Sequence, residues 1–285
     1  MNCRQVGTHP VVQFTSSPAG ASEWPSELKL GLGACHVWFV FQDQARDAAL
    51  LDRYRQFLTE RERSGELRFH FLEDRHRYLL TRALVRTVLS LYAPISPAEW
   101  SFVANAHGRP QIANDAVSAA GLSFNVSHSG GIVMLGVSRH RAIGVDTEDI
   151  VGSRASMAMA EHFCSREEIA ELRAEPGDER RSERLLEIWT LKEAYVKARG
   201  VGLSIPLDQI SFSFPGSRGI DVAFDSRVQD QRDRWAFWML RPSPDHPSAV
   251  CVASPAATTL ALEVRRAIPL AMQQVLTSTI TRRSE

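Results

Sequence analysis

Cysteine is scarce in this chain of 285 residues: Cys3, Cys35, Cys164 and Cys251 stand far apart and form no C-x-x-C pair. So few thiols exclude a disulfide scaffold, and a reducing cytoplasm is the expected compartment. An excess of either charge is missing too, since Lys plus Arg and Asp plus Glu both total 33. That balance points to neither a nucleic-acid nor a membrane partner, so any charged site is local. Long apolar runs are absent, and no window approaches the roughly 18 consecutive apolar residues of a membrane span. The N-terminal stretch lacks the apolar centre of a signal peptide, and residues 1–33 read as a loose leader. Neither a low-complexity tract nor an internal repeat is visible. What is present is an ordinary globular composition, 44% hydrophobic and 23% charged, with enough chain for one large domain or two small ones.

Strand and helix patterns alternate irregularly. "CHVWFVF" (Cys35 to Phe41) is rich in aromatic and β-branched residues and reads as a strand. Between Phe69 and Tyr92, Phe71, Tyr78, Val85 and Tyr92 recur every seven positions with Val88 and Leu89 between them, one stripe of a long helix. Arg75, Arg77, Arg82 and Arg86 lie on its other faces, and Pro94 marks where it has ended. "LSFNVSH" and "GIVMLGVS" form two strands around a Ser-Gly-Gly turn, and "RAIGVDTE" a third. Ser165 with Glu168 makes a capping box, and "ERLLEIWTLKEAYVKARG" is a helix that stops at Gly200. Five short strand-like runs follow, from "ISFSF" to "TTLALEV", and residues 271–285 read as a frayed helical tail. The order favours α+β over a doubly wound parallel sheet.

Two small constellations carry chemistry. In "GVDTE", Asp146 and Glu148 are two apart at a strand end and share a face, where they repel unless a proton or a cation sits between them. An isolated pair of this kind is usually just wetted by solvent. In the later helix Glu193 and Lys197 are four apart, the spacing of an ordinary surface ion pair. By the same bland reading Trp189 is a packing residue.

Taken together, the motifs resemble the Sfp-type 4'-phosphopantetheinyl transferase (holo-acyl-carrier-protein synthase) superfamily. The likeness rests on "GVDTE", "WTLKEAYVK" with "GVGLSIPLDQISF" after it, "FNVSHSGG", "HGRP" for the family's G-K-P turn, and "DRHRYLLTRALVR". It covers about Cys35 to Phe214 in one consistent order. The resemblance implies two pseudo-symmetric α+β halves in one chain, residues 34–140 and 141–270, with the active site in the cleft between them. It implies transfer of 4'-phosphopantetheine from coenzyme A to a serine of an apo acyl, peptidyl or aryl carrier protein, with release of 3',5'-ADP by a monomer. It also implies Mg²⁺, with Mn²⁺ an acceptable substitute, held by Asp146, Glu148 and Glu193, with Glu193 as the base and Lys197 neutralising phosphate charge. Arg77, Arg109, Ser127, His128, Lys192 and Lys197 are the expected coenzyme A contacts, Arg77 and Arg109 at the positions that the resemblance implies for the 3'-phosphate, and Arg82 and Arg86 are weaker ones that could face solvent.

Elementary electrostatics agrees with a cation. A phosphate group beside these carboxylates is repelled by about 4 kcal/mol per unit-charge pair at 4 Å and an effective dielectric near 20. A divalent ion with hard oxygen ligands reverses that sign. Glu62 and Gly65 depart from the family, some members of which carry lysine there, so the 3'-phosphate grip that the resemblance implies has no lysine at these positions, and Arg61, Arg63 and Arg68 are the neighbouring cations that could compensate. Thr147, between two same-face carboxylates, is expected to point away from them. The rival readings are a metal-dependent hydrolase of coenzyme A or another nucleotide diphosphate, and a non-catalytic carrier-binding homologue.

Overall fold

The computed structural model describes residues 21–115, 121–153, 155–254, 259–277 and 279–284. After a two-residue strand, β1 (Ser22–Glu23), come β2 (Ala34–Phe41), helices α1 (Ala48–Phe57), α2 (Glu60–Leu67) and α3 (Leu72–Leu89), and the hairpins β3 (Phe102–Ala104)/β4 (Pro110–Ile112) and β5 (Leu122–Ser129)/β6 (Ile132–Arg139). The order then repeats: β7 (Ile143–Thr147), α4 (Met157–Ala160), α5 (Arg166–Ala174), α6 (Asp178–Arg199), β8 (Ile210–Ser213)/β9 (Gly219–Phe224) and β10 (Trp235–Leu240)/β11 (Ser248–Ala253). In each half the opening strand pairs antiparallel with the closing one, which pairs with its hairpin partner: β2–β6–β5 and β7–β11–β10. The expected pair of α+β halves is therefore present, and its symmetry lies in the order of elements rather than in any visible sequence repeat.

The packing explains why the central strands are apolar on both faces. Trp38 and Val40 of β2, with Val133 and Leu135 of β6, meet Leu80, Leu84 and Val88 of α3. The alternate residues Cys35, Val37 and Phe39 point the other way, against Ile143, Val145, Trp238 and Val250 of the second sheet. On that sheet's far side Phe237, Met239 and Cys251 meet Leu191, Ala194 and Tyr195 of α6. The result is four layers, helix, sheet, sheet and helix. Cys35, Cys164 and Cys251 are buried and free. No helix among the described residues is long and apolar enough to cross a membrane.

The chain's ends differ from expectation. Strand β12 (Ala261–Ile268) runs parallel to β2, β13 (Met272–Leu276) pairs with β12 and β1, and β14 (Ile280–Ser284) returns to the second sheet beside β10 and β9. Residues 261–276 thus belong to the first half's sheet, not to a second half ending at 270, and the tail is strand rather than frayed helix. The physical reason is the edge of β2, an eight-residue apolar strand that β12 covers with its own ladder. The N-terminal stretch is also tied down: the Trp24 ring lies 5.7 Å from that of Trp38, the Leu28 N–H donates to the Leu91 carbonyl (2.7 Å), and Leu30 is buried. The rest of the expected loose leader, residues 1–20, lies outside the described residues.

Candidate active site

The two sheets meet where β5 runs beside β7, and a side chain stitches them: the Val145 N–H donates to Asn125 Oδ1 (2.8 Å). Across this junction α6 comes down onto β7 at Gly144. A Cβ there would lie 2.0 Å from the Ala194 carbonyl oxygen and 2.3 Å from the Ala198 nitrogen. Only glycine permits that approach, which puts one face of α6, carrying Trp189, Glu193 and Lys197 at successive four-residue steps, over the end of β7. Gly144→Ala is expected to force α6 away, lowering stability by about 1–3 kcal/mol. It should also cut any activity about 100-fold through misplacement of Glu193 and Lys197. Thermal melts with rate measurements check this.

The cleft so formed has a volume of about 700 Å³. Phe69, Arg77, Tyr78 and Arg82 line its first-half wall, Asp146, Glu148, Trp189, Glu193 and Lys197 its second-half wall, and Ser127 and His128 the junction. Asp146 is 4% exposed. Its Oδ1 accepts from Lys197 Nζ (2.6 Å) and Ser127 Oγ (2.9 Å), and Lys197 Nζ also donates to Ser127 Oγ (3.0 Å). Oδ2 is buried and has no hydrogen-bond partner among the described residues. The Trp189 indole N–H donates to Glu148 Oε1 (2.8 Å), and Ser129 Oγ reaches Oε2 at 3.5 Å.

Burial raises the pKa of all three carboxyls. For Glu148 and Glu193 the charge of Asp146 adds to the effect, while Lys197 opposes it at each. His128 sits at the rim, where desolvation by the cleft walls and then the charge of Arg77 hold its pKa below the ordinary imidazole value. It is therefore neutral near pH 7 and meets an anion as a hydrogen-bond donor.

Two expected phosphate contacts are engaged elsewhere. Lys192 is fully buried: its Nζ lies 2.6 Å from Glu168 Oε2 and donates to the carbonyls of Phe163 (2.8 Å), Leu207 (2.8 Å) and Ile210 (2.7 Å). Adjacent helix positions face about 100° apart, so the residue before Glu193 is turned into the core. Arg109 binds the carbonyls of Lys197 and Ala198 at the end of α6, with Phe124 (3.3 Å) and Ile143 (2.8 Å). There it caps a helix C-terminus and clasps the halves together. Arg77 does line the cleft, on Asp74 Oδ1 at 2.6 Å. Arg86 is 1% exposed and serves the Pro97 and Trp100 carbonyls and Glu62, so its role is structural. Thr147 gives its hydroxyl to a bond from Ser248 Oγ (2.8 Å). The residue that sequence reasoning treated as packing is Trp189, and its four-residue step from Glu193 was the available signal.

Hard oxygens, one of them buried without a partner, suit a divalent cation held by Asp146, Glu148 and Glu193. Among the described residues no three His, Cys, Asp or Glu side chains already converge as a metal cage. The Lys197 ammonium stands on Asp146 and supplies the local positive charge. Carboxylates of raised pKa facing lysine and arginine across one cleft suit a reaction at phosphorus.

Comparison with known proteins is specific about which one. Residues 142–251 match the 4'-phosphopantetheinyl transferase superfamily, and residues 46–140 match the N-terminal region of 4'-phosphopantetheinyl transferases. The chain is 30% identical over 219 residues to the 4'-phosphopantetheinyl transferase ffp of Bacillus subtilis, an alignment covering 77% of this chain and 92% of that one. It is 29% identical over 229 residues to the 4'-phosphopantetheinyl transferase HetI of Nostoc sp., covering 80% and 92%. To the 4'-phosphopantetheinyl transferase Sfp of Bacillus subtilis it is 27% identical over 219 residues, covering 77% and 92%. The chain belongs to the 4'-phosphopantetheinyl transferase superfamily.

Proposed function

We propose that this protein transfers 4'-phosphopantetheine from coenzyme A to a serine hydroxyl of an apo carrier protein, as a cytoplasmic monomer using Mg²⁺ or Mn²⁺. The single observation that carries the reading is Asp146, buried between Lys197 and Ser127 with one oxygen unpaired, in a cleft shared with Glu148 and Glu193. A cation held by these three carboxylates would polarise the phosphoryl group and offset charge on the departing 3',5'-ADP.

The chain's own groups divide the remaining work. His128 and Lys197 bind oxygens of the diphosphate, and Ser127 keeps the Lys197 ammonium aimed at them. Glu193, its pKa raised by burial and by Asp146, takes the proton of the carrier serine. The serine oxygen forms a bond to the phosphorus that bears pantetheine, the bond from that phosphorus to the leaving nucleotide breaks, and 3',5'-ADP departs. Trp189 holds Glu148 in place through its indole N–H while its ring packs edge-on against Phe163, centroids 4.7 Å apart.

Trp189→Phe keeps that packing and removes the donor. It is expected to weaken divalent-cation affinity about 10- to 100-fold, read by titration calorimetry of the cation alone, with little change in melting temperature. Unchanged cation binding sinks the positioning role. The transfer itself is tested by following 3',5'-ADP release with and without an apo carrier protein. Release only with carrier supports the transferase, and release without it supports hydrolysis.

A further inference from the structure

The tip of the β3/β4 hairpin reaches out of the first half and closes on the end of α6. Its shape is set by Asn105, whose Oδ1 accepts from the N–H groups of His107 (2.9 Å) and Arg109 (3.0 Å), and by Gly108, which takes a φ of +80°. Asn105 Nδ2 donates to the Gly200 carbonyl (2.9 Å), and Arg109 Nη1 donates to the carbonyls of Lys197 and Ala198. Carbonyls of a last helical turn have no N–H of their own helix to accept from, so α6 is completed by donors from the other half of the chain.

The second arm of the fork, Arg109 Nη2, donates to the Ile143 carbonyl of β7 (2.8 Å) and the Phe124 carbonyl of β5 (3.3 Å). Three elements therefore meet at one guanidinium. Ser127 lies three residues beyond Phe124, Asp146 three beyond Ile143, and Lys197 is itself one of the residues held. Three strand residues span about 10 Å, and at that distance the same elements meet again. There Lys197 Nζ, Asp146 Oδ1 and Ser127 Oγ bond to one another. Lys197 is thus fixed by its carbonyl on one side and its ammonium on the other. Pro110 lines the active cleft, whereas Arg109 lines a separate pocket of about 510 Å³ with Asn105, Arg141 and Gly200.

We propose that Arg109 is a positioning residue that sets Ser127, Asp146 and Lys197 in register across the two halves, acting from outside the cleft; this deepens the transferase reading and rests on it. A planar fork with fixed donor directions serves carbonyls on one helix and two strands at once, which the point charge of an ammonium does not. The hairpin tip is then a latch, with Asn105 holding both the loop and the helix end.

The test compares Arg109→Met and Arg109→Lys with the unaltered full chain in carrier modification and in titration with coenzyme A and 3'-dephospho-coenzyme A, all below the melting point of each variant. Arg109→Met is expected to lower kcat about 10- to 100-fold, and Arg109→Lys to restore part of it. The ratio of the two nucleotide affinities should stay within about twofold, because the displaced groups face the diphosphate that both nucleotides carry. Asn105→Ala should lower kcat as well, and by less than additively when combined with Arg109→Met. Full kcat in a folded variant, even with a lowered melting temperature, overturns the proposal and leaves a clasp of purely structural effect. Weakening confined to coenzyme A also overturns it, since that places Arg109 on the 3'-phosphate. Where Arg109→Met does not fold, Arg109→Lys decides by the same two readouts. Failure of the unaltered protein to modify any carrier overturns the transferase reading and this proposal with it.

Discussion

Glu193→Gln is expected to cost about 10³-fold in carrier modification while raising the melting temperature at neutral pH. The loss of rate follows from the geometry: Glu193 faces the cleft one turn from Lys197, and the amide can neither take the serine proton nor serve as an anionic ligand. The gain in stability follows from its raised pKa, whose main cause is burial, followed by the charge of Asp146. A carboxyl raised in the folded state binds more protons folded than unfolded between the two pKa values. Stability therefore falls as pH rises from the unfolded value near 4.3 through the folded one, and the deficit is constant above it. Glutamine has no such deficit, so the variant and the unaltered protein should melt together near pH 4 and separate at higher pH. Saturating Mg²⁺ should narrow the gap, because a ligand of the folded state stabilises only the protein that binds it. Full activity in Glu193→Gln, or a variant less stable at pH 7 than at pH 4 relative to its parent, contradicts the account.

Lys192→Met is expected to produce the largest loss of stability of any single change near the cleft, about 3–5 kcal/mol. The ammonium is surrounded by the Glu168 carboxylate and three backbone carbonyls, all supplied by segments that pack against α6. Glu168, fully buried, also accepts from the N–H groups of Ser165 (2.8 Å) and Phe212 (2.8 Å), so the pair ties α5, α6 and β8 into one unit. Burial pushes Glu168 up and Lys192 down from their ordinary pKa values, while the ion pair opposes both shifts. Methionine fills the space but leaves a buried carboxylate without its counter-ion and three carbonyls without their donor. A fall in melting temperature on the order of 10 °C is expected. Affinity for coenzyme A, measured below that melting point, should stay within about twofold. A strong loss of nucleotide affinity with normal stability would restore Lys192 to the phosphate-binding role that its neighbours' motif implied.

The contrast between Lys192 and Glu193 shows what a sequence of this kind discloses. Asp146 with Glu148, and Glu193 with Lys197, lie at the two- and four-residue periods that put side chains on one face, so their meeting in a cleft was legible from spacing joined to a family resemblance. Which way the helix faces was not. The seven-residue stripe matches the buried face of α3 only toward its C-terminal end, where Val85, Val88, Leu89 and Tyr92 are buried; at its start Phe71 is 67% exposed and Tyr78 lines the cleft, and the core also takes Leu79, Leu80, Ala83 and Leu84. Arg86, read as a weaker cleft cation that could face solvent, is buried instead, with its two terminal nitrogens bonded to Glu62 and to two carbonyls. Arg109, which the resemblance led one to expect at coenzyme A, instead binds the carbonyl end of α6.

The ends of the chain were hidden for a related reason. Strand character in "TTLALEV" was visible, but the pairing of Ala261 with Ala34 depends on a partner at the other end of the sequence, which no local pattern records. The N-terminal Ser22–Glu23 strand shares that dependence through Gln273 and Met272.

The most direct test of the central claim is intact-mass analysis of several apo carrier proteins incubated with the protein, coenzyme A and Mg²⁺, beside Glu193→Gln and cation-free controls. The account predicts addition of one phosphopantetheine to the carrier serine, lost in both controls. Carriers left unmodified while coenzyme A is consumed would contradict it and place a hydrolase in this cleft.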